Sequence, residues 1–169
     1  MSSVRAEVYA TLYQNAVNAT VKTAEALPEG NRFRQAAEGK AHPLWLLGHM
    51  SMSLGMLTNH WSLGRDLEIP QEWSATFGPS EFGGKAITTN PDDYPGWEEI
   101  LAAYKKAGAV AVEAVGALTD EQLEGYALGP QPEQFKEAFG ILNKFIPGNA
   151  THDTHHRGQM SLLSGLPKS

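Results

Sequence analysis

Apolar residues return at mixed three- and four-residue steps through Val4, Val8, Leu12, Ala16, Val17 and Val21, until Pro28-Glu29-Gly30 ends the run. This pattern predicts a first helix over 4–26. A second opens at His42-Pro43, where a proline fits the first turn because its missing N–H would be unpaired there anyway. It continues through Leu44, Trp45, Met52, Met56 and Leu63 to Gly64. The third runs from Pro95 through Ile100, Leu101, Tyr104, Val110, Val112 and Val115 to Leu118, with Glu98 and Glu99 at the positive end of its dipole. Thr119-Asp120-Glu121-Gln122 reads as a cap starting one further turn. A fourth long helix is predicted over 148–163, with a shorter one over 132–145 divided from it by Pro147-Gly148.

Between the second and third helices lies the segment 65–94, punctuated by Pro70, Gly78, Pro79, Gly83, Gly84 and Pro91. It is far longer than the roughly two to eight residues that join antiparallel neighbours in a bundle. A chain that travels the length of a bundle before re-entering would leave helices two and three parallel. Strand signals are confined to Ala86-Ile87-Thr88-Thr89, a short extended piece at most. The expectation is one all-α domain over 1–169, a four-helix bundle with a long crossover between helices 2 and 3.

Composition narrows the chemistry. The 41% apolar and 19% charged residues suit a globular chain, and 169 residues suffice for a single core. Thirteen Lys and Arg against nineteen Asp and Glu give a net charge of -6 with no basic block, which argues against nucleic acid as a partner. The absence of cysteine excludes disulfides, thiolate metal ligands and a cysteine nucleophile. No apolar tract is long enough to cross a bilayer, and the first twenty residues lack the apolar stretch of a secretory signal. A cytoplasmic protein without a membrane partner is the default expectation, and a homodimer the default assembly.

The six histidines, at 42, 49, 60, 152, 155 and 156, concentrate the chemistry. His152 and His156 are one helical turn apart, about 40° in azimuth and roughly 6 Å along the axis, so both rings can converge on one point. That is the spacing by which a helix offers two imidazoles to a metal. Both lie on the face carrying Met160 and Leu163, whereas His155 falls about 100° away on the flank. A third ligand must come from elsewhere. On helix two, His42, His49 and His60 all face the apolar stripe of Trp45, Met56 and Leu63. Axial rise places His42 about 10 Å and His60 about 16 Å from His49, too far to share one ion. Spacing favours the central His49, which follows Gly48 in an apolar run, without deciding against the other two. An inward histidine on its own is more often a core or cap residue. An unpaired inward pair is costlier, because each unsatisfied buried nitrogen costs on the order of 1–3 kcal/mol.

Gly48-His49, together with His152-Asp153-Thr154-His155-His156-Arg157-Gly158-Gln159, resembles the DinB superfamily of DinB/YfiT-like metalloenzymes. His42-Pro43-Leu44-Trp45 and the stretch from Pro70-Gln71-Glu72-Trp73 to Phe77-Gly78 resemble its DinB_2 branch. The resemblance implies a four-helix bundle with an overhand crossover. It also implies a divalent metal, nickel or zinc, held by His49, His152 and His156, with His155 at a variable position. Members of the wider family include thiol-dependent transferases and isomerases.

Three neutral histidines would leave a coordination position open, as in catalytic zinc sites. The expected function is a divalent-metal-dependent transferase or hydrolase acting on a small-molecule substrate, with a low-molecular-weight thiol as a candidate partner. The alternative is a non-catalytic metal- or ligand-binding bundle, or a structural dimer, that retains an inherited site. Gln159, about 60° from His156, is a candidate to orient a ligand or a bound water, or else a helix-face amide. Arg157 is expected to pair with an acid on helix three or to lie at a dimer face, and Asp153 to be exposed, with acceptance of an imidazole N–H as its alternative. No Asp or Glu has a spacing that marks it as a general base.

Overall fold

The computed structural model describes residues 3–165, which form helices and connecting turns without a strand. Four long helices make the bundle: α1 (Val4–Glu25), α2 (Pro43–Met52) with its continuation Ser53–Ser62, α4 (Trp97–Gly116) and α7 (Leu142–Gly165). Shorter helices α3 (Trp73–Phe77), α5 (Asp120–Leu123) and α6 (Lys136–Phe139) sit in the connections. α1 packs against α4 and α7, and α2 packs against the same two helices, so α1 and α2 are diagonal across the core. None of these helices is long and apolar enough to cross a membrane.

Capping fixes the starts. The Ser3 hydroxyl accepts the Arg5 and Ala6 amides ahead of α1. His42 does the same for α2, its Nδ1 accepting from the Trp45 N–H at 3.1 Å. Thr119 and Gln122 form a reciprocal capping box around α5, the further turn expected at that point. Pairings across the bundle set direction. Ser51 donates to the Ile100 carbonyl and Asn59 to that of Ala107, so α2 and α4 advance in the same sense. The opposite order holds between α2 and α7, where His49 meets His152 and Thr58 meets Asn149.

Two features depart from the sequence reading. α2 does not stay α-helical: from Ser53 to Ser62 it widens into π-helix, with the Leu63 amide donating five residues back to Thr58. Each residue there turns through a smaller angle, so azimuths counted from His49 drift. His60 ends half-buried at the bundle's edge, its Nδ1–H donating to the Arg65 carbonyl at 2.8 Å. The expected break at Pro147-Gly148 is also absent. α7 runs through Pro147, and the chain breaks instead at Gly140, whose φ of 65° favours glycine. Proline removes the bond to the carbonyl four residues back, that of Asn143. The Tyr9 hydroxyl of α1 stands beside this turn, donating to the Asn143 side-chain oxygen at 2.6 Å and lying 3.5 Å from its carbonyl.

Candidate metal centre

His49 projects from α2, and His152 and His156 from α7, into the gap between the two helices. The His152 Nε2 lies 3.0 Å from the Nε2 of His49 and 3.1 Å from that of His156. One nitrogen from each ring falls within 4.8 Å of the other two. A tetrahedral ion with bonds of 2.0–2.1 Å sets its ligand atoms roughly 3.3 Å apart, close to this spacing.

What surrounds the rings orients them. The His49 ring stacks on Trp45, with centroids 4.9 Å apart and planes 7° from parallel. Its Nδ1 lies 2.8 Å from the Phe77 carbonyl, so that nitrogen carries the proton and Nε2 presents its lone pair. Gly48 makes this arrangement possible. A Cβ there would stand 2.2 Å from the Phe77 ring, so only glycine lets α3 come this close to α2. On α7, the His156 Nδ1–H points to the Gln159 Oε1 at 2.7 Å, which again leaves Nε2 as the acceptor. Burial lowers the pKa of both His49 and His156 to about 4, so both rings are neutral near pH 7.

His152 is the ring whose requirements the fold does not meet. Its Nδ1 is buried without a hydrogen bond, 3.6 Å from an Asp153 oxygen that is equally unpaired. With the proton on Nδ1, three lone pairs face one another. With the proton on Nε2, one neighbour receives it, the other lone pair stays opposed, and the Nδ1 lone pair faces a carboxyl oxygen. A cation among the three Nε2 atoms removes both conflicts, because it leaves Nδ1–H directed toward Asp153. The donor set and its orphaned atoms therefore fit a metal ion.

Asp153 corrects the expectation of exposure: it is 1% exposed and accepts the Tyr104 hydroxyl at 2.8 Å. Burial raises its pKa, and that of Tyr104 as well. α7 contacts both α1 and α2, so its buried arc is wider than the stripe of large apolar residues suggests. The sequence marks Tyr104 only as a core residue of helix three; no spacing rule links it to Asp153. Arg157 is half-buried with its Nε enclosed and unpaired, and no hydrogen bond joins that nitrogen to an acid. His155 is exposed, and His42 caps α2 away from the cluster.

The family model of the DinB superfamily matches residues 12–160. The chain belongs to the DinB superfamily. Among curated proteins, this DinB-superfamily chain is similar to a shikimate dehydrogenase (NADP(+)) of Rhizobium rhizogenes, 29% identical over 110 residues, which cover 65% of this chain and 36% of that protein. It thus spans about a third of that relative's length. No solved structure matches.

Beside the cluster a cavity of about 1100 Å³ opens between α2, α7 and the 132–140 segment, with His49 and His152 in its wall. Two of the three histidines therefore border a space large enough for a small molecule.

Proposed function

We propose that this chain is a divalent-metal-dependent enzyme acting on a small molecule, with His49, His152 and His156 holding nickel or zinc. The observation that carries the reading is the set of three converging Nε2 atoms, two of whose rings line the cavity, with one ring left unsatisfied in either tautomer. A metal bound there would supply a Lewis acid and an open position for a substrate oxygen or sulfur. The chain's own part is to hold the rings. Phe77 and Gln159 fix two tautomers, Trp45 buttresses the His49 ring, and Asp153 stands ready for the His152 Nδ1–H.

A transferase using an external thiol is favoured over a hydrolase. Asp153, the acid beside the cluster, is turned into the core toward Tyr104, so it is not placed to take a proton from water in the cavity. A thiol brings its own nucleophile, which a chain without cysteine cannot supply. The fold does not favour the activity in the relative's name: the described residues form no strand, and dinucleotide binding of the doubly wound kind needs a parallel sheet. We read the protein as cytoplasmic and as a homodimer, the latter supported by exposed Val4, Val8 and Leu12 along one face of α1.

Metal analysis of protein purified without a histidine tag tests the centre, with near-stoichiometric nickel or zinc expected. Thiol-consumption assays with a panel of electrophiles then test the activity. Bound metal with no turnover for any thiol or electrophile would favour the non-catalytic binding bundle.

A further inference from the structure

The wall of the cavity is unlike the rest of the molecule. Away from the histidines it is a continuous run of aromatic rings from separate stretches of chain. Trp61 stacks on Phe135 with centroids 5.2 Å apart, Phe135 stacks on Phe139 at 5.5 Å, and Phe139 meets Phe145 at 4.8 Å. Phe82, from the long connection, stands edge-on to Phe135 at 5.6 Å and is 67% exposed. Phe135, Phe139 and Phe145 are only half-buried, so these rings face a space rather than filling a core. Met52 and Met56 share the lining, flexible side chains that adapt to the shape of a guest.

The charges are sparse and balanced. Glu137 and Lys144 are the acidic and basic residues of the lining, and both are exposed. A polyanion would find a single cation there, opposed by a carboxylate. An uncharged aromatic guest finds ring faces and edges at stacking distance, each contact contributing about 0.5–1.5 kcal/mol beyond area burial. The volume lies near the upper end of drug-sized pockets, well beyond what a two- or three-carbon fragment would fill.

We propose that this chamber takes the uncharged, ring-bearing body of the substrate, an aromatic molecule of two or more rings whose polar head faces His49 and His152. The inference rests on the metal-enzyme reading for the direction of the head, but not for occupancy of the chamber. The thiol of that reading is then the other reactant, and the chamber selects its aromatic partner.

The test separates the two parts. N-phenyl-1-naphthylamine, a neutral three-ring fluorophore without a metal-binding head, is titrated into the full metal-free chain. Saturable one-site binding in the micromolar range is expected, weakened about tenfold by Phe135→Ala and severalfold by Phe82→Ala, an exposed position whose truncation leaves the fold intact. No saturable binding, or affinity unmoved in both variants, overturns the chamber. 2-Naphthohydroxamic acid and acetohydroxamic acid are then compared as displacers with metal-free and zinc-loaded protein. The naphthyl compound should displace the probe at least tenfold better when zinc is present, and the acetyl compound should remain weak in both states. Equal potency of the two hydroxamates on loaded protein overturns the aromatic preference, and a naphthyl compound indifferent to bound zinc overturns the direction of the head. If the chain takes up no zinc yet binds the fluorophore, the chamber stands and the metal reading falls.

Discussion

Asn149 and His152 lie three residues apart on α7, and the polar groups around them are treated in opposite ways. Asn149 is buried with its needs met: its side-chain oxygen accepts from Tyr13 and Thr58, and its amide donates to Ser53. That cluster ties α1, α2 and α7 together without any outside help. One turn further, His152 brings three imidazole acceptors together and leaves its own Nδ1 and an Asp153 oxygen unpaired. His42 sharpens the contrast. It is fully buried, yet Nδ1 caps α2 and Nε2–H donates to the Thr88 carbonyl, so a histidine in this fold can be entirely structural. Polar groups whose requirements are closed within the chain serve folding, and the set left open is where a ligand belongs.

The largest effect should separate the two α7 clusters outright. His152→Ala removes one of three ligands, and the affinity for nickel or zinc should fall at least roughly a thousandfold, since ligands of such sites contribute several kcal/mol each. Metal content of tag-free protein reads this directly, and a variant retaining its metal overturns the assignment. Asn149→Ala should do the reverse. It strands the Tyr13, Thr58 and Ser53 hydroxyls and should cost about 2–4 kcal/mol in urea unfolding, while the folded protein still takes up metal.

Those two positions also show how far the sequence was legible. The one-turn spacing of His152 and His156 sufficed to pair those two rings, because helix geometry is fixed by local bonds, and the place of His49 after Gly48 in an apolar run only favoured it as the third. Spacing did not settle His49 against His42, whose role depends on the Thr88 carbonyl, 46 residues away. The π-helical widening after Met52 carried no signal in the sequence. Pro147 reads as a break because its missing bond is local, while Tyr9, which bonds the Asn143 side chain in the same turn, lies 134 residues before Asn143. The burial of Asp153 likewise depends on Tyr104 across the bundle.

Gly48→Ala tests the support of the centre rather than its ligands. The added methyl overlaps the Phe77 ring, and α3 must retreat, taking with it the carbonyl that holds His49. A cost of about 1–3 kcal/mol in stability is expected from overpacking, with metal affinity reduced about tenfold through the freed ring. A variant that lost stability and kept full affinity would show that the Phe77 bond is not needed to orient His49.

The smallest effect concerns the structural histidine. Burial lowers the pKa of His42, so the folded chain holds it neutral more firmly than the unfolded chain does. The sign follows: its contribution is complete above the ordinary histidine value near 6.5 and is lost as pH falls through that value toward the lower folded one. Protonation at Nδ1 would also abolish the acceptor for the Trp45 amide. His42→Asn keeps a capping oxygen and cannot titrate in this range. The variant should be less stable than the parent at pH 8 by about 1 kcal/mol, through the lost Thr88 bond, and the gap should narrow steadily by pH 5. Thermal melts of metal-free protein across that range measure it. A gap independent of pH would mean that His42 titrates alike in both states, and the division between histidines closed by the fold and those left open would lose its clearest control.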